Sequence, residues 1–116
     1  MMRFLQRILG RGNNRQDESE WIAIYLPLSG GVYGTEQERD NVRSLGHEID
    51  AAIRRHNVGI FDGDEFGNRE AGLFAYGANA DLIFQAVQPL LLCQEFFPRG
   101  YVIKRYGSAQ SERIEF

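Results

Sequence analysis

Four carboxylates fall within nine residues of this 116-residue chain. Asp62, Asp64, Glu65 and Glu70 lie in the stretch Val58–Gly77, VGIFDGDEFGNREAGLFAYG. Carboxylates this close can hold a divalent cation, pass protons, or meet a cationic partner. Spacing tests the first. Asp62-Gly63-Asp64 opens like a calcium loop and Gly67 stands at its sixth place, but Phe66 and Leu73 fill the fifth and twelfth places, where oxygen ligands are required. No metal site and no cofactor is expected. Acid–base work needs carboxyl groups held in a cleft with shifted pKa values. A hairpin tip is usually solvated, so no catalytic residue is assigned. Two readings remain: Asp and Gly serving the turn itself, or an acidic edge of Asp62, Asp64, Glu65 and Glu70 that binds a partner.

Other chemistry-bearing residues give less. Ser29-Gly30-Gly31-Val32-Tyr33-Gly34-Thr35 lies between a strand and a helix, where backbone donors can hold phosphate. It has no lysine and no full GxxxxGK[ST] pattern, so it reads as a connector. His47 falls opposite the apolar stripe of its helix and is expected in solvent. His56 ends that helix, where imidazolium suits the dipole. Cys93, the one cysteine, reads as a small buried hydrophobe. There is no nucleophile triad, no CxxC and no HExxH, and the residues give no reason to expect an enzyme.

Charge is unevenly placed. Residues 1–16 carry Arg3, Arg7, Arg11 and Arg15 and no acid, while the rest holds nine basic and sixteen acidic residues. An acidic body is a poor footprint for nucleic acid, which needs clustered Lys and Arg, and suits a basic protein partner. Phe4, Leu5, Ile8 and Leu9 share one helical face. Nine residues make a weak anchor, so membrane contact of the arm is not expected. No apolar run approaches the roughly 18 residues of a membrane span, and the cytoplasm is the expected compartment. Residues 1–19 read as a basic arm and linker, and residues 20–116 as one domain large enough for its own core.

The elements that position these residues follow from periodicity. Trp21–Leu28 alternates as a strand. Thr35 and Glu38 form a capping box at the start of a helix running to His56, with Val42, Leu45, Ile49, Ala52 and Ile53 as its stripe. Val58–Phe66 and Glu70–Tyr76 pair as a hairpin around Gly67-Asn68. Asn79 or Asp81 caps a second helix reaching about Gln94, with Pro89 expected to kink or break it. Tyr101–Tyr106 is a last long strand, and Ile114 with Phe116 suggests a short extra one.

This is an α+β domain: an antiparallel sheet with two helices on one face. Its βαββαβ order resembles the ferredoxin-like split βαβ arrangement over about residues 21–106, in element order and not in any motif. That resemblance implies central first and third strands. Ile22, Ile24 and Leu26 then face the helices, and Trp21, Tyr25, Phe74 and Tyr76 form an uncovered aromatic patch on the other face, a candidate interface. The patch suits a homodimer, a foreign partner or a terminal segment.

The resulting expectation is a small acidic non-enzymatic protein that binds a basic protein, by analogy with immunity and inhibitor proteins as a class. The alternative is a dimeric ferredoxin-like domain that binds or senses a small molecule.

Overall fold

Thr35 starts the longest helix. Its hydroxyl accepts from the N–H of Glu38 at 3.0 Å, and the Glu38 carboxylate accepts from the N–H of Thr35 at 2.9 Å. Helix α1 (Glu36–His56) then runs until Asn57 closes it in the left-handed conformation, φ 53°. Its predicted stripe of Val42, Leu45, Ile49, Ala52 and Ile53 is buried. Asn79 caps α2 (Ala80–Cys93) by accepting from the N–H of Leu82 at 3.1 Å. Pro89 does not break this helix, which continues to Cys93. Pro89 and Gln85 are both exposed, so the carbonyl that loses its donor lies on the solvent side of the helix.

The computed structural model describes residues 20–107 and 110–116. The amphipathic stretch Met1–Leu9 and the linker expected to Ser19 lie outside the described residues. Five strands form one antiparallel sheet: β1 (Glu20–Pro27), β2 (Ile60–Gly67), β3 (Glu70–Gly77), β4 (Tyr101–Tyr106) and β5 (Gln110–Glu115). Their spatial order is β2-β3-β1-β4-β5, giving a single compact α+β domain with β1 at its centre. The extra terminal strand is a full partner of β4, so a βαββαβ order does not describe the chain, which reads βαββαββ. The short strand expected from Ile114 and Phe116 is present and longer than its sequence QSERIE suggests: an edge strand holds on by backbone hydrogen bonds, and within it only Ile114 shows an apolar beat.

The hairpin turn is one residue later than predicted. Gly67 pairs with Glu70, leaving Asn68 (φ 54°) and Arg69 (φ 63°) as a two-residue turn with both residues left-handed. Arginine is uncommon there. The Arg69 N–H donates to the Val32 carbonyl at 3.0 Å and its carbonyl accepts from the Leu28 N–H at 2.9 Å, so the preceding glycine-rich loop clasps the turn.

The two faces of the sheet bury different clusters. Ile22, Ile24, Leu26, Leu73, Ala75 and Val102 pack with the apolar stripes of both helices. On the opposite face Trp21, Ala23, Phe74 and Tyr76 form a second cluster, flanked by Tyr25 and Ile103. Register explains the grouping: Trp21 lies opposite Tyr76, and Ala23 opposite Phe74. The aromatic patch is not uncovered as expected. Trp21 is 7%, Phe74 2% and Tyr76 1% exposed. Among the described residues, no helix is long and apolar enough to cross a membrane.

Candidate functional site

Strand alternation sorts the four carboxylates. Glu65 lies opposite Gly72, whose neighbour on the other side is Tyr25. Glu70 ends the same column of β3 two residues earlier. Both therefore stand on the face away from the helices, as does the Tyr25 ring. Asp64 lies opposite Leu73, a residue of the helix-side core, and points the other way. Asp62 is the extra residue of a bulge between Phe61, which lies opposite Ala75, and Gly63, which lies opposite Phe74. Gly63 absorbs that bulge at φ 107°, a conformation that side chains rarely adopt. The sequence grouped four acids; the fold brings Glu65 and Glu70 into one place and separates Asp64 from them.

That place is an open cleft of about 360 Å³ lined by Tyr25, Glu65, Glu70, Gly72 and Phe74, with Gly67 and Asn68 at the hairpin end also in its wall. Gly72 shapes it. A Cβ at that position would stand 2.6 Å from Cζ of Phe74, so the phenyl ring lies over the glycine. Phe74 and Tyr25 meet edge to face at 6.1 Å, and Tyr25 stacks on Tyr101 with centroids 5.0 Å apart. The Tyr101 hydroxyl donates to Glu70 Oε2 at 3.0 Å.

The electrostatics follow from this crowding. Burial, then the proximity of Tyr101, Glu70 and Glu65, pushes the Tyr25 phenol well above its ordinary value. Burial and the bond to Glu70 raise Tyr101 as well. Both phenols are therefore neutral donors at ordinary pH, not bases. Two carboxylates beside aromatic faces suit a flat cation. The protein already seats one nearby: the Arg113 guanidinium lies 3.7 Å from the Tyr101 ring centre and pairs with Glu115.

Of the predicted aromatic interface, Tyr25 and Phe74 line the cleft, while Trp21 and Tyr76 lie further along the same face. Cys93 is exposed and not a core residue, because it occupies the last, solvent-facing turn of α2. His47 and His56 are both exposed. Among the described residues, no group of three or more His, Cys, Asp or Glu side chains is placed to hold a metal ion.

Two arrangements escaped sequence reasoning. In the glycine-rich loop, the donors a phosphate would need are taken by the protein itself. The Glu38 carboxylate accepts from the N–H groups of Ser29 (2.8 Å), Gly30 (3.1 Å) and Thr35 (2.9 Å) and from the Ser29 hydroxyl (2.9 Å). These bonds, led by the Ser29 N–H, lower its pKa to about 2. The capping box was legible; the loop folding back onto its glutamate was not, since Ser29 lies nine residues away.

The second is Lys104, 8% exposed on the helix side of β4. Its ammonium lies 2.8 Å from Asp81 and 3.2 Å from Glu112, with the rings of Phe84 and Tyr106 beside it. The Tyr106 hydroxyl donates toward the same Asp81 oxygen at 2.6 Å. Burial opposes the charge, but the bonds to Asp81, Tyr106 and Glu112 outweigh it and raise the lysine pKa. A lysine held protonated is a structural tie between α2, β4 and β5, not a nucleophile or base. Its signal was present in sequence: Lys104 alternates with Val102 and Tyr106 and so falls on the inward face of its strand, where a charge needs partners.

Comparison with family models, with curated proteins and with solved structures finds no match.

Proposed function

We propose that this protein is a small non-enzymatic binder of a basic protein segment, in the manner of an inhibitor or immunity protein, and that the cleft at Glu65 and Glu70 takes an arginine side chain. The observation that supports this most is the pairing of those two carboxylates with the rings of Tyr25 and Phe74 around one opening. Carboxylates supply forked acceptors for a guanidinium, and ring faces supply the stacking surface that lysine uses less well. Arg113 on Tyr101 is an example, inside this chain, of a guanidinium seated on the same kind of surface. Asp62, Asp64, Trp21 and Tyr76, grouped with the site from sequence, play no direct part in this reading of the cleft.

On fold, our reading is that β2-β3-β1-β4 with its two helices is a ferredoxin-like arrangement carrying β5 as an added edge strand. The spatial order of those four strands supports it. The cleft volume also favours a second reading, a small cationic metabolite, since small-molecule sites begin at roughly 300 Å³.

Isothermal titration of the full chain separates the outcomes. The probes are a short peptide alternating arginine and serine, its lysine counterpart, and free arginine amide. The expected result is binding of the arginine peptide that weakens with salt, weaker binding of the lysine peptide, and a loss of roughly tenfold in E65Q/E70Q. Binding of arginine amide as tight as the peptide assigns the small-molecule reading. Affinity indifferent to E65Q/E70Q, or no binding by any probe, overturns the cleft as the site.

A further inference from the structure

One row of residues crosses the whole sheet on the face away from the helices. Glu65 of β2 lies opposite Gly72, Gly72 opposite Tyr25, Tyr25 opposite Tyr101, and Tyr101 opposite Glu115 of β5. Directly opposed residues of antiparallel strands share a face. The row therefore starts and ends on a carboxylate, with two stacked phenol rings between them and Glu70 reached by the Tyr101 hydroxyl. The cleft at Gly72 is its near half. Its far half, the outer side of the Tyr101 ring, has the same ingredients: an aromatic face, Glu115 and Glu70.

That far half is filled. Strand order brings Tyr25 to the Tyr101 ring from β1 and Arg113 to it from β5, on the other side. The guanidinium lies 3.7 Å from the ring centre, in stacking contact, and its Nε bonds Glu115. The bond to Glu115 favours the Arg113 cation most, and the charge of Glu70 adds to it. Arg113 and Glu115 are both more than half exposed, so their pair alone would hold the side chain weakly. The ring and the second carboxylate supply the rest.

We propose that Arg113 is a resident ligand of this face and sets its specificity: it occupies a second arginine seat on Tyr101, so that the open cleft accepts one arginine and not a pair. This role rests on the reading of the cleft as an arginine site, and it defines the peptide that the site selects. From β3 to β5 is three strand spacings, which puts the two seats roughly 14 Å apart. Arginines four residues apart in an extended peptide span roughly the same distance and project to the same side. A peptide of that spacing can fill both seats only when Arg113 has left.

Isothermal titration of the full chain with two pentapeptides, blocked at both ends, tests this. One carries arginine at its first position and serine elsewhere; the other carries arginine at its first and last positions. The wild type is expected to favour the double peptide by about twofold at most, the advantage of two candidates for one seat. In R113S that ratio is expected to rise about tenfold or more, because the second arginine then binds within the same complex. R55Q, which removes a cation from the last turn of α1, should leave the ratio as in the wild type and so separates an open seat from a change in net charge. Should R113S fail to fold, the wild-type chain still decides. Its Arg113 Nε–H and Cδ protons are expected upfield of those of other arginines through the ring current of Tyr101, and that shift should vanish in Y101L. An unshifted Arg113 overturns the proposal. Binding of the single-arginine peptide with an unchanged ratio in R113S overturns it too, and leaves the cleft standing. Binding of either peptide by R113S but not by the wild type supports the seat on Tyr101 and overturns the vacant cleft. No binding of either peptide by either protein overturns both.

Discussion

The Tyr101 hydroxyl reaches Glu70 at 3.0 Å across the central strand, so that β4 and β3, both neighbours of β1 but not of each other, are tied on the face away from the helices. The bond orients one of the two cleft carboxylates. It also places the ring of Tyr101 where Tyr25 stacks on one side and Arg113 approaches.

Removing that hydroxyl separates orientation from folding. In Y101F the ring remains, so Tyr25 keeps its stacking partner and the sheet keeps its register. A single partly exposed hydrogen bond contributes about 0.5–1.5 kcal/mol. The expected outcome is a stability loss within that range by urea denaturation, together with a several-fold weaker affinity for the arginine peptide. An affinity unchanged while stability drops would mean that Glu70 needs no orientation to bind.

The tyrosines predict an alkaline effect with a definite sign. Tyr25 is raised in the folded state, so between its unfolded value of about 10 and its higher folded value the native chain holds a proton that the unfolded chain has lost. Folded-state stability is therefore complete below about pH 10 and declines above it. Absorbance titration near 295 nm should show a late-titrating phenol that is missing in Y25F. Urea midpoints measured at about pH 9 and above should fall less in Y25F than in the wild type.

Glu38 predicts the opposite limb. Its folded value of about 2 lies below an ordinary value of 4.5, so it contributes stability above about pH 4.5 that is lost as pH falls toward 2. Urea midpoints across that window should drop in the wild type and flatten in E38Q. At neutral pH, E38Q should cost about 1 kcal/mol, the usual worth of a helix cap. It should also loosen the Ser29–Gly34 loop, and with it the turn at Asn68-Arg69 that Val32 holds, which amide exchange at Arg69 would show.

Much of this architecture was legible because single-element patterns carried it. The capping residues, the stripe of α1, and the alternation of β1 and β3 all follow from side chains within a few positions of each other. Trp21, Tyr25, Phe74 and Tyr76 could be placed on one face for that reason. What escaped were relationships between distant residues. The bulge between Phe61 and Gly63 breaks the register, so Asp62 does not continue the column of Asp64, whereas the parting of Asp64 from Glu65 is ordinary strand alternation. The short terminal strand was expected from Ile114 and Phe116, but its extension back to Gln110 along the whole of β4 was not, because Gln110–Arg113 carry no apolar signal. The cleft depends on Gly72 being small beside Phe74, a contact invisible until the ring's direction is known. The near-complete burial of Trp21 and Tyr76 is a tertiary property that alternation along a strand does not encode.

Lys104 tests whether its ion cluster acts as a tie or as isolated pairs. Asp81 and Glu112 are about half exposed, so K104M leaves two carboxylates that water can serve, and its methylene stem is replaced by an apolar chain of similar length. D81N/E112Q instead leaves a buried ammonium without its counterions. Breaking a pair from the exposed side is then worse than removing the buried member. The melting temperature should fall in the order wild type, K104M, D81N/E112Q.

Gly72 offers the sharpest separation of cleft shape from cleft charge. G72A adds one methyl group 2.6 Å from Phe74 Cζ, a distance that real contacts do not show, so the ring must swing off the glycine. Overpacking of this kind costs about 1–3 kcal/mol. The carboxylates of Glu65 and Glu70 are untouched, so the salt dependence of arginine-peptide binding should survive while the affinity itself drops. F74L, which shortens the ring that overlies Gly72, should restore stability in the G72A background beyond what the two single changes add up to, because both act on the same contact. If G72A and F74L are simply additive in denaturation, the ring does not rest on the glycine, and the cleft has a different wall.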